Sequence, residues 1–124
     1  MLVSLGVAYE DWWRFAEALP HLLDALQIRR AIGDQPGAGA AMAALGAVYR
    51  ELGRLDEALH HYEAARQIAV EVGDRWGEGI ALTGLGATGC DLGEYTTAAA
   101  YLRRSAAISR EIGDGWVEGL AKLL

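Results

Sequence analysis

Three histidines, one cysteine and a handful of serines are the side chains whose types could carry catalysis or hold a metal in this chain. His21 and His61 stand 40 residues apart, with Tyr101 a further 40 along, so they share one recurring position rather than forming a unique site. His60 and His61 are adjacent, and on a helix neighbouring side chains point about 100° apart. No Glu-x-x-His arrangement and no cysteine accompany them, so no metal centre is expected. Cys90 sits beside Asp91 with no histidine in its segment, which predicts a buried or groove-facing structural thiol. Ser4, Ser105 and Ser109 lack a Gly-x-Ser-x-Gly turn or a base. Gly77-Glu78-Gly79 and Gly84-Leu85-Gly86 come after no strand and precede no Lys-Ser/Thr, so they are not phosphate loops. The expectation is a chain without catalytic residues, metal or cofactor.

Composition narrows the partners. A net charge of -6 opposes nucleic-acid binding, which needs clustered Lys and Arg to displace counterions from phosphate. Ten of the eleven basic residues are Arg, with Lys122 alone, a skew that hints at a GC-rich bacterial source. The single cysteine excludes an intrachain disulfide and fits a reducing cytoplasm. Gln35 to Tyr49, the longest charge-free stretch, is too short to span a bilayer, and the first residues lack a basic leader region. A soluble, unprocessed cytoplasmic chain is expected.

The elements that position these residues come from an internal period. Gly33-Asp34, Gly73-Asp74 and Gly113-Asp114 recur every 40 residues, as do Leu5-Gly6, Leu45-Gly46 and Leu85-Gly86, and then Ala18, Ala58 and Ala98. Repetition over the whole chain predicts one domain, 1–124, with units at approximately 1–33, 34–73 and 74–113 and a partial fourth at 114–124. Each unit reads as two helices. In the second, Gln35 to Leu52 places Met42, Leu45, Val48, Tyr49 and Leu52 at helical spacing, and Leu55 to Val72 does so through Leu59, Tyr62, Ala65, Ile68 and Val72. Gly53 and Gly73 then predict left-handed caps, and Asp74 an N-cap. Gly46 and Gly86 fall inside helices, where a small residue lets a second helix approach, and Ala58 and Ala98 are expected to face them.

Leu45-Gly46, Tyr49, Gly53, Ala58, Tyr62 and Ala65, in this order and spacing, resemble the tetratricopeptide repeat signature. Met42 replaces its opening aromatic, and the longer period is similar to the branch found in LGN/Pins-type adaptors, kinesin light chains and bacterial regulators. The resemblance implies an all-α fold, a right-handed α-solenoid of helix-turn-helix units, with about three repeats and a partial fourth helix. It also implies a non-catalytic scaffold in a larger bacterial regulatory or signalling protein, binding a helix or peptide on a concave face lined by first helices. That face would comprise Val3, Val7, Ala43, Ala47, Arg50, Ile80, Thr83 and Ala87, with Arg50 open to an acidic partner or paired with Glu10 or Asp91. Ala44, Ala47, Gly84 and Ala87 stand where the adaptors carry peptide-holding Asn residues, which favours a helix as partner.

Two further surfaces are expected. Trp116, Leu120, Leu123 and Leu124 belong to the unfinished fourth unit, whose apolar face predicts a fragment of a longer array or a homo-oligomer. Trp12 and Trp13 replace the Leu-Gly of the later turns, and consecutive positions cannot both face one core, so an exposed aromatic contact is expected there. Trp76 and Trp116 are equivalent across units, which predicts inter-repeat packing. A small-molecule sensor is the remaining alternative.

Overall fold

Four glycines punctuate the chain. Gly33, Gly53, Gly73 and Gly93 all adopt positive φ, 74° to 79°, a backbone state that side chains with a Cβ resist. The computed structural model describes the backbone of residues 2–123 and the side-chain surroundings of residues 11–113, 115, 119 and 122. Its helices are α1 Leu2–Ala31, α2 Gln35–Glu51, α3 Leu55–Val72, α4 Arg75–Asp91 and α5 Tyr95–Leu123, with no strand among the described residues. Each helix packs on the next in the chain, and α2 also touches α4, giving an α-solenoid.

The starts of α2 and α4 are capped alike. The Asp34 carboxylate accepts from the Gly37 N–H and that of Asp74 from the Gly77 N–H, each at 2.9 Å, satisfying donors that the first helical turn leaves free. Beyond the caps, side chains bury along one stripe. Leu45 is fully buried, with Met42, Val48 and Tyr49 nearly so, and Ala58 and Ala65 of α3 share one core cluster with Met42, Leu45 and Tyr49. Val72 does not join the core and is 41% exposed, because it closes α3 beside a surface hollow.

Two expected turns are absent. The first unit does not divide into two helices: α1 runs unbroken through Trp12-Trp13 and contains Pro20. Trp12-Trp13 replaces Leu-Gly, so no glycine is present there to adopt the left-handed state that ends α2 and α4. At the other end, Gly113 keeps right-handed helical geometry, and residues 114–123 continue α5 rather than opening a fourth-unit helix. A left-handed cap is maintained when the segment after it folds back into contact. Among the described residues α5 packs only on α4, so nothing rewards the turn.

The helical glycines meet different partners from those anticipated. A Cβ on Gly46 would lie 2.9 Å from three carbons of the Tyr62 ring, and a Cβ on Gly84 would overlap Cε1, Cζ and Cδ1 of the same ring. Tyr62, from α3, is thus wedged between a glycine of α2 and a glycine of α4. A Cβ on Gly86 would lie 2.5 Å from Leu102, the residue one period after Tyr62, and would meet the Ala98 backbone carbonyl rather than the Ala98 side chain. Ala98 instead meets Gly89, where an added Cβ would lie 3.1 Å away. Large second-helix side chains use the space at Gly46, Gly84 and Gly86, and the small Ala98 that at Gly89.

Gly84→Ala gains up to about 1 kcal/mol of helix propensity, but its methyl enters the Tyr62 ring. A net loss of about 1–3 kcal/mol is expected from overpacking, read as a lower denaturant midpoint. In a Tyr62→Ala background the same substitution becomes neutral or stabilising, and a double-mutant cycle measures that coupling.

Candidate functional site

Two hollows open along the stack. The first, about 440 Å³, has its walls on α2 (Pro36, Gly39, Ala40, Ala43, Ala44, Ala47) and the start of α4 (Asp74, Trp76, Gly77, Ile80), with α3 as its floor. The floor side chains are Tyr62, Ala65, Ile68, Ala69 and Val72. The second, about 340 Å³, is formed by α4 and α5 together with Arg50 and Tyr62. Trp76, Ile80, Thr83, Gly84 and Ala87 line it from α4, and Ser105, Ile108, Ser109 and Ile112 from α5. Tyr62, Trp76 and Ile80 are common to both.

The residues expected on the concave face distribute between these hollows. Ala43, Ala47 and Ile80 line the first; Arg50, Ile80, Thr83 and Ala87 line the second. The side chains of Val3 and Val7 lie outside the described residues. Tyr62, Ile68 and Val72 of α3 were not anticipated, because the face was assigned to first helices alone. Their spacing along α3 is the available signal, since Tyr62, Ala65, Ile68, Ala69 and Val72 recur three or four residues apart along one helical stripe.

Trp76 overturns the expectation of inter-repeat packing: it is 66% exposed and lines both hollows. Its position in the first turn of α4 carries it beyond the buried stripe that begins at Glu78. Cys90 is exposed on α4 rather than buried or facing either hollow, since the neighbouring Gly89 takes the inward position against Ala98. Trp12 and Trp13 are both about half exposed and meet edge to face at 5.6 Å between ring centroids. Trp116, Leu120 and Leu123 have side chains outside the described set, as does Leu124.

Arg50 is paired. Its Nε donates to Asp91 at 2.6 Å, joining the end of α2 to the end of α4 between successive units. The hydrogen bond to the Asp91 carboxylate raises the guanidinium pKa above its ordinary value against a smaller desolvation cost. Both side chains are about one-third exposed, so the pair contributes at most about 1 kcal/mol. An acidic partner at Arg50 would have to compete with Asp91.

A polar cluster interrupts the apolar lining of the second hollow. Ser105 is buried and donates to the Gly79 carbonyl at 3.0 Å; Thr83 donates to the same carbonyl at 3.0 Å, and the two hydroxyl oxygens lie 2.6 Å apart. Ser105 replaces the alanine of the earlier units, and its hydroxyl is accommodated by this shared acceptor. His61 is similarly engaged, with Nδ1 2.8 Å from the Glu57 carbonyl and its ring against Tyr49. Among the described residues no group of three or more His, Cys, Asp or Glu is placed to hold a metal, and no helix is long and apolar enough to cross a membrane.

A family model of the tetratricopeptide repeat matches residues 1–71 and again residues 39–111. No curated protein matches the chain.

Burial pushes the Tyr62 phenol above its ordinary pKa, and attraction to the Arg50 guanidinium opposes this only in part. The unfolded chain therefore loses this proton first. The associated stability is intact below about pH 10 and is lost as pH rises through the higher folded value. Tyr62→Phe is expected to flatten the alkaline loss of stability, checked by denaturant midpoints between about pH 8 and about pH 11.

Proposed function

We propose, from the premise that this chain belongs to the tetratricopeptide repeat family, that it is a non-catalytic scaffold whose hollow between α2 and α4 receives a helix of another protein. Repeats of this family mediate protein–protein interaction, and that general role carries over with membership. The finer reading rests on one observation: eleven of the fifteen residues lining the first hollow are Ala, Gly, Ile or Val, and Asp74 is the one charged residue among them. Its carboxylate, Asp74, already accepts from the Gly77 N–H.

An extended peptide brings unsatisfied backbone N–H and C=O groups into such a surface, and burying these without partners costs free energy. A helix satisfies its own backbone and needs only close approach. Ala40, Ala43, Ala44 and Ala47 fit the i, i+3, i+4, i+7 pattern, and small residues on such a stripe allow tight helix packing. Trp76, two-thirds exposed, and Ile80, nearly half exposed, both line this hollow and supply the large apolar contacts that anchor interfaces. The Arg-rich composition and the 40-residue period favour a bacterial regulatory or signalling setting.

A designed amphipathic helix with an apolar stripe, monitored by fluorescence anisotropy, is expected to bind more tightly than a proline-rich peptide of equal length. Ala43→Glu and Ala47→Glu should each weaken binding at least about tenfold, equivalent to about 1.4 kcal/mol, while Trp13→Ala leaves it unchanged. Tighter binding of the extended peptide, or indifference to both glutamates, would refute the reading.

A further inference from the structure

The two hollows are the same surface one repeat apart. Ala43 and Ala47 of the first become Thr83 and Ala87 of the second, and Ile68 and Val72 become Ile108 and Ile112, each shifted by 40 residues. The difference lies in the wall that faces them. In the first hollow that wall is the start of α4, through Asp74, Trp76, Gly77 and Ile80. Among the described residues, no helix stands in the corresponding place against α4 and α5.

The sequence contains the corresponding wall. One period beyond Asp74, Trp76 and Ile80 stand Asp114, Trp116 and Leu120, preceded by Gly113 as Asp74 is preceded by Gly73. This stretch cannot reach its own chain's hollow, because α5 continues straight through Gly113. Arg75, the first residue of α4, bridges Glu78 and Glu111 of α5, so the residues after Ile112 run past the start of α4. A straight α5 carries the wall segment away from the surface that its repeat position matches.

We propose that the open face of α4 and α5 is a docking slot for the Asp114–Leu123 stretch of α5 from a second copy of this chain, exchanged about a two-fold axis. Two α5 helices laid antiparallel across Gly113 bring each stretch along the other copy's α5 in the direction that α4 takes along α3. The exchange continues between chains the interface that α4 makes with α2 and α3 within one chain, and it is self-complementary, as a two-fold contact requires. Each slot receives an Asp-x-Trp-x-x-x-Leu stretch in place of the Asp-x-Trp-x-x-x-Ile stretch of α4.

The test is sedimentation equilibrium of the full chain over a concentration series, with circular dichroism confirming that each variant stays folded. The expected result is a reversible monomer–dimer equilibrium. Ser109→Arg, at an exposed position lining the slot, and Leu120→Asp, on the exchanged stretch, each weaken dimerisation at least tenfold, while Ala43→Glu leaves it unchanged. Ala43 lies only in the first hollow, so this result separates the slot from the partner-binding surface. A wild-type chain that stays monomeric throughout, or a dimer indifferent to both Ser109→Arg and Leu120→Asp, overturns the proposal.

Discussion

The ring of Tyr62 held between Gly46 and Gly84 is the contact on which the rest of the stack depends. It joins three helices at once: α3 supplies the ring, and α2 and α4 supply the two glycine surfaces against it. Because close-packed interiors do not absorb an added methyl without movement, the ring sets how near α2 and α4 can come to each other. That separation is also the width of the first hollow. Tyr62 forms part of the floor of one hollow and part of the lining of the other, so the packing device and the surface on offer are one piece of structure.

Around this contact the apolar and polar terms divide the work. Leu45 and Leu82, buried on α2 and α4, place their neighbours at the hollows by helical geometry alone. Polar groups then join helices both within and between units. Arg50 and Asp91 tie the ends of α2 and α4, Arg75 ties the first turn of α4 to α5, and the Gly79 carbonyl collects two hydroxyls from α4 and α5. The exposed ion pairs are individually weak, as surface pairs are. Their role is positional, holding neighbouring helices in register while burial supplies most of the free energy.

Much of the fold was legible because its causes are local and repeated. The Gly-Asp pairs located the α1–α2 and α3–α4 turns, Asp74 was recognisable as a cap from its place before an apolar stripe, and the spacing of Met42, Leu45 and Tyr49 marked the buried face of α2. The candidate site was less legible. Its α2 and α4 walls derive from the repeat register, but the contribution of α3 depends on how deeply one helix sits between two others. Trp76 shows the limit most clearly: repetition made it look like a packing residue, whereas its place in the first turn of α4 leaves it largely outside the core.

The sequence by itself determined the all-α class, the 40-residue period, the helix-capping chemistry and the small apolar character of the α2 and α4 faces, since each arises from residue type and spacing within one unit. Tertiary structure decided what glycine does at each position. Gly73 turns left-handed because α4 folds back onto α3, while Gly113 stays helical because, among the described residues, no further helix packs against α5 to hold a turn there. Gly46 admits a tyrosine ring rather than Ala58, and Gly84 admits the same ring, because α3 presents Tyr62 there. In each case the backbone tolerates more than one outcome, and only contacts from another element separate them.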